Sequence, residues 1–150
     1  MRFLAFLMMS GVLVTSTWAC DRPPLGDYDW VGCIEDGVSI SYQGVKHGLV
    51  DVTGDVLIAP EYLKIRRLGK DEFGVSNGEK WGVIDRLYRV ILPMEYDHLL
   101  PHDDFYYEII KDGKYGMMHH GQMIIQPKYG SLSDVNGLTV AMEWHAEVLK

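Results

Sequence analysis

The chain has 150 residues, of which 47% are hydrophobic and 23% charged, with a formal net charge of −7. That length suits one domain with a modest core. The acidic balance excludes nucleic acid and anionic lipid as electrostatic partners, and it is compatible with a basic protein partner.

Met1-Arg2 supplies one positive charge, Phe3 to Val14 is almost wholly apolar, and Thr15 to Ala19 are mostly small residues before Cys20. This order is that of a secretory signal spanning residues 1–19, cut after Ala19. The apolar run is shorter than the roughly 20 residues that cross a bilayer. Two fates are open to Cys20. "TWAC" is similar to the lipobox of bacterial lipoproteins, with Thr17 and Trp18 as departures, and lipidation there would be the one route to a membrane. Alternatively, Cys20 and Cys33 form a disulfide in an oxidising compartment. The two exclude each other, and both place the chain outside the cytoplasm, in the periplasm or anchored to the envelope.

Residues 20–40 read as an N-terminal segment with a first strand, and residues 41–150 as a repeat domain. "KHGLVD" starts at Lys46, "KWGVID" at Lys80 and "KYGMMH" at Lys114, so units recur every 34 residues. Each has Lys, a ring (His47, Trp81, Tyr115), glycine (Gly48, Gly82, Gly116) and two apolar residues. Each continues into a β-rich run with a proline (Pro60, Pro93, Pro127) and a closing tyrosine (Tyr62, Tyr96, Tyr129). These nine rings and glycines, with the closing tyrosines, define the repeat and are expected to be structural, the rings as core.

Each unit predicts three short strands joined by tight turns, an all-β meander. Asn77-Gly78 and Asp112-Gly113 predict primed hairpin turns. Gly54 and Gly121 mark the second turn. The middle unit has Arg86-Leu87-Tyr88 there instead, which predicts a different, more exposed loop. The prolines, lacking an N–H, are expected at strand ends. "LTVAME" from Leu138 predicts one more strand, and "AMEWHAEVLK" fits strand or helix.

Lys-ring-Gly followed by two apolar residues, a β run, proline and tyrosine resembles the bacterial WG repeat, also called the KWG repeat. "KWGVIDRLYRVILPMEYDHL" is similar to it nearly throughout, and the likeness extends from about Ser41 to Leu132. The resemblance implies a β-rich repeat array, often exported, with no shared enzymatic chemistry and no common ligand.

No serine elbow, phosphate-binding glycine loop, Cys-x-x-Cys or His-Glu-x-x-His occurs. Asp85 recurs as Asp51, which marks a turn residue rather than a catalytic one. His98 and His102 are four apart, but Pro101 opposes the helix that would converge them on a metal. His119 and His120 would point to opposite faces of a strand. No cofactor or metal is therefore expected. The segments that break the repeat are the candidate partner-binding residues: Arg86, Leu87 and Tyr88, then Asp103, Asp104, Phe105 and Tyr106. Within the second group Phe105 and Tyr107 would face inward and Tyr106 outward.

The leading expectation is an exported, non-enzymatic protein-interaction module, with an inhibitor or immunity protein against a toxin or lytic enzyme as its sharper form. The alternatives are a structural envelope lipoprotein and a metal-dependent hydrolase using the 98–104 and 119–120 histidines. Intact mass of the native protein tests export. Residues 1–19 are expected to be missing, with either added acyl mass at Cys20 or the loss of two hydrogen atoms for the disulfide. Full-length protein carrying two free thiols would refute both.

Overall fold

A computed structural model describes residues 20–102, 106–135 and 138–142. The leader-like segment and residues 143–150 lie outside the described residues, as do Asp103, Asp104 and Phe105. Among the described residues every regular element is a strand. Three four-stranded antiparallel meanders follow one another along the chain. The first contains β1 (Trp30–Val31), β2 (Val38–Gln43), β3 (Lys46–Asp51) and β4 (Val56–Tyr62). The second contains β5 (Lys64–Arg67), β6 (Glu72–Ser76), β7 (Trp81–Asp85) and β8 (Val90–Tyr96). The third contains β9 (His98–Pro101), β10 (Tyr106–Lys111), β11 (Lys114–His119) and β12 (Gln122–Tyr129). A hairpin of β13 (Ser131–Val135) and β14 (Leu138–Met142) begins the same pattern again. The strand expected from Leu138 is β14.

The sheets carry one more strand than the sequence units suggest. The extra strands β5 and β9 follow the closing tyrosine of the preceding unit, and both are short and without clear alternation. The sequence units starting at 46, 80 and 114 coincide with the third strand of each sheet, so they straddle the sheet boundaries.

The third and fourth strands explain the repeated glycine and tyrosine. The ring and the closing tyrosine pair directly in every sheet: His47 with Tyr62, Trp81 with Tyr96, Tyr115 with Tyr129. Beyond each pair the register slips in the same way, so the fourth strand bulges over the glycine. A Cβ on Gly48 would stand 2.5 Å from the Ile58 carbonyl oxygen, on Gly82 2.8 Å from that of Leu92, and on Gly116 2.6 Å from that of Ile125. Backbone, which cannot step aside, occupies the space a side chain would need.

The prolines are not at strand ends. They lie inside β4, β8 and β12, in the bulge of strands that form sheet edges, where a missing N–H breaks no ladder. Pro60 and Pro127 face the repeat glycine, whereas Met94 holds that place in the second sheet and Pro93 is one residue earlier. Asp112-Gly113 forms the expected primed turn, with φ of 52° and 71°. Asn77-Gly78 does not. It belongs to a loop over residues 77–80 that Asn77 Oδ1 closes by accepting from the Glu79 and Lys80 N–H groups.

The core lies between successive sheets. Val38, Leu49 and Ile58 of the first meet Phe73, Val75 and Ile84 of the second. Val83, Leu92 and Tyr96 of the second meet Leu99, Tyr107, Ile109 and Met118 of the third. Neighbours Val83 and Ile84 thus serve opposite cores, as the two-residue period of a strand requires. The second sheet is covered on both faces, so β6 and β7 are buried almost throughout. Tyr107 is fully buried and Tyr106 points out, as expected.

Cys20 and Cys33 form a disulfide, with Cα atoms 5.5 Å apart. Of the two fates open to Cys20, the structure contains this one. The Ile34 N–H donates to the Asp21 carbonyl, and Pro24 packs beside Gly54, so the N-terminal segment is tied to the first sheet. Trp81 is only half-buried, because Arg66 lies over its ring at 4.9 Å.

Gly82→Ala is expected to destabilise the fold by about 1–3 kcal/mol, as overpacking against backbone does. Urea unfolding of the purified variant measures this. Unchanged stability would show that the bulge relaxes freely.

Candidate partner-binding surface

The middle loop, expected to differ in shape, has the same backbone as its counterpart in the first sheet. Asp51 Oδ1 accepts from the N–H groups of Thr53 (2.8 Å) and Asp55 (2.9 Å). Asp85 Oδ1 accepts from those of Leu87 (2.9 Å) and Arg89 (2.9 Å). Both aspartates are turn-closing residues. What differs is the residue placed in the left-handed region: Gly54, with φ 90°, in the first sheet and Tyr88, with φ 63°, in the second. A bulky ring there is strained, because its Cβ crowds the following carbonyl. Leu87 and Tyr88 are 67% and 51% exposed.

The loop's charged residues are held within the molecule. Arg86 pairs with Asp71 at 2.5 Å and donates to the Asp36 carbonyl at 2.8 Å, tying the second sheet to the first. It therefore acts as an internal tie, and the free surface of this segment is Leu87 and Tyr88. The Tyr88 hydroxyl donates to Glu61. Burial, helped by the hydrogen bond with Tyr88, holds the neighbouring Tyr62 hydroxyl far above its ordinary pKa.

The second candidate segment is described only from Tyr106. Its ring stacks on His119 at 3.9 Å, nearly parallel. His119 and His120 do not diverge across a strand. His120 is in a turn with φ 45°, and the two rings lie 4.2 Å apart. His102 meets Glu108 across 3.0 Å. The turn at Gly121 packs against Glu72 and Ile91, next in sequence to Asp71 and Val90, so the two candidate segments border one another. Glu72 also accepts from the Tyr107 hydroxyl at 3.3 Å.

At the chain corner between β8 and β9, Asp97 pairs with Lys80 and accepts from the Asp112 N–H at 2.7 Å. Lys80, and then that N–H, hold its carboxyl below the ordinary value. Burial pushes Asp85 upward, but the N–H groups of Arg89 and Leu87 and the Arg89 guanidinium outweigh it and lower the carboxyl. Asp51 is lowered too, first by the Thr53 hydroxyl.

One group escaped the sequence reading. Trp30, Tyr42, His47 and Tyr62 form a row of directly paired positions across the first sheet. In the second sheet the first two places hold Lys64 and Ser76. The signal was the absence of rings at positions 64 and 76, legible only once β1 and β5 are known to correspond.

The family model described as WG containing repeat matches residues 81–115, from β7 into the start of β11. Comparison with curated proteins and with solved structures finds no match.

The depressed carboxyls fix a pH dependence. Groups with lowered folded-state pKa contribute stability above their unfolded value, and that stability is lost as pH falls through the folded value. Stability is expected to be flat near neutrality and to decline below about pH 4. Asp85→Asn should destabilise at neutral pH, with the difference from the parent shrinking as pH drops below about 4. Urea unfolding along a pH series measures this. A difference independent of pH would show that the Asp85 charge contributes nothing.

Proposed function

Starting from a WG repeat-containing protein, we propose that this chain is an exported, non-enzymatic protein-interaction module whose partner docks on the Leu87–Tyr88 loop and the adjoining Tyr106–His119 surface. The observation that carries this reading is Tyr88. The same loop in the first sheet meets the left-handed position with glycine, at no steric cost. Strain kept at an exposed tip, beside an exposed leucine, points to a selected surface. Exposed aromatic and aliphatic anchors of this type carry most of the energy in protein interfaces.

Export is supported by the leader-like residues 1–19 and by the disulfide, which persists in oxidising compartments. The same disulfide uses the sulfur that an envelope lipoprotein would need for its lipid. The hydrolase alternative draws no support from the histidines, since His102 is engaged by Glu108 and His119 by the Tyr106 ring. The sharper form, an inhibitor or immunity protein, fits the acidic charge and the compact repeat scaffold.

Capture from envelope extract, followed by affinity measurement with the purified partner, tests the proposal. Leu87→Asp and Tyr88→Gly are each expected to weaken binding about tenfold or more. Both should leave stability within about 1 kcal/mol of the parent, Tyr88→Gly because relief of the left-handed strain offsets the added chain entropy. Variants that bind like the parent, or that unfold, would refute the surface. Assaying the partner's own activity with and without the chain separates an inhibitor from a passive binder.

A further inference from the structure

The clefts between successive sheets are not filled alike. Between the second and third sheets, Arg66 closes the cleft at the first-strand edge. Its guanidinium lies 4.9 Å over the Trp81 ring, and Nη1 donates to the Leu99 carbonyl at 2.9 Å. Arg66 faces Gly74 across the β5–β6 pair. The corresponding place in the first sheet is Gly32, whose N–H donates to the Ile40 carbonyl opposite at 2.9 Å. A glycine thus stands where the next repeat carries an arginine.

The Trp30 ring leans over Gly32, and a Cβ there would stand 3.3 Å from two of its atoms. Beyond it a cleft of about 260 Å³ remains, lined in part by Trp30, Ile40, Tyr42, Glu35 and Arg67. Trp30 is 44% exposed, and Tyr42 meets it edge-on at 4.8 Å. The Glu35 side chain stands on the rim, 64% exposed, paired to Arg67 Nε at 3.1 Å. Arg67 itself is spent internally, with its other N–H groups on the carbonyls of Glu35, Val38 and Lys70.

We propose that this cleft receives an arginine side chain from a basic protein partner, supplying from outside the guanidinium that Arg66 supplies from within at the next repeat. The proposal rests on the protein-binding reading above and adds the chemistry of one contact. A planar guanidinium stacks on aromatic rings and bonds a carboxylate in the same plane, which lysine does less well. The chain's charge of −7 favours approach of a basic partner. Trp30 already attracts such a group on its own chain, with Arg22 at 5.5 Å from the ring.

The probe is a blocked arginine tripeptide, titrated into the full chain while the Trp30 indole N–H is followed by ¹⁵N NMR, its signal assigned from Trp30→Phe. A saturable shift is expected. The citrulline peptide, which keeps the shape and loses the charge, should bind about tenfold more weakly. Glu35→Gln should weaken the arginine peptide to a similar degree while the rest of the spectrum stays in place. No saturable shift, equal binding of arginine and citrulline peptides, or indifference to Glu35→Gln would each overturn the proposal. These outcomes leave the Leu87–Tyr88 surface untouched, because its variants are scored on the whole partner.

Discussion

The close approach of the bulged fourth strand to a glycine on the third is the contact on which the rest of this molecule depends. It is repeated at Gly48, Gly82 and Gly116, each time with a carbonyl oxygen less than 3 Å from where a Cβ would sit. The bulge brings the closing tyrosine opposite the ring before the glycine, and it places proline where no ladder bond is lost. It also spoils the outer strand as a template for pairing with another chain, a recurrent protection for exposed edges.

Sheets shaped alike can stack, and the stacking supplies the core. The second sheet shows the consequence most clearly, since it gives one face to each neighbour. The first sheet has only one such neighbour. On its other face Ser39 and Val50 are nonetheless fully buried, and the Cys20–Cys33 bridge fastens the N-terminal segment beside them. On the third sheet Ile110 and Met117 are buried on the face away from the second, where β13 runs beside β11.

A regular scaffold makes its irregularities informative. Gly54 against Tyr88 and Arg66 against Gly32 are differences between equivalent positions of one chain, with the backbone alike in both. The first puts an apolar, strained tip on the surface. The second leaves an aromatic cleft open. Asp51 and Asp85, by contrast, are the same residue doing the same backbone work twice, which is why neither is a candidate for chemistry. The repeat is its own control, separating what the architecture requires from what it merely displays.

The sequence by itself determined the period, the all-β class, the repeat-defining rings and glycines, and the two segments that depart from the pattern. Those features are local or periodic, and a fixed spacing of Gly, Pro and Tyr announces them without knowledge of contacts. Only the tertiary structure decided the rest. Strands β1, β5 and β9 are too short to show a period and exist because a neighbouring strand pairs with them. The prolines belong to bulges because another strand's glycine lies beneath. Arg86 was legible as a residue that breaks the repeat, but its tie to Asp71 and Asp36 reaches across sheets. Gly32 acquires meaning only when Arg66 is seen to occupy its place, a comparison made by strand pairing and invisible in the order of residues.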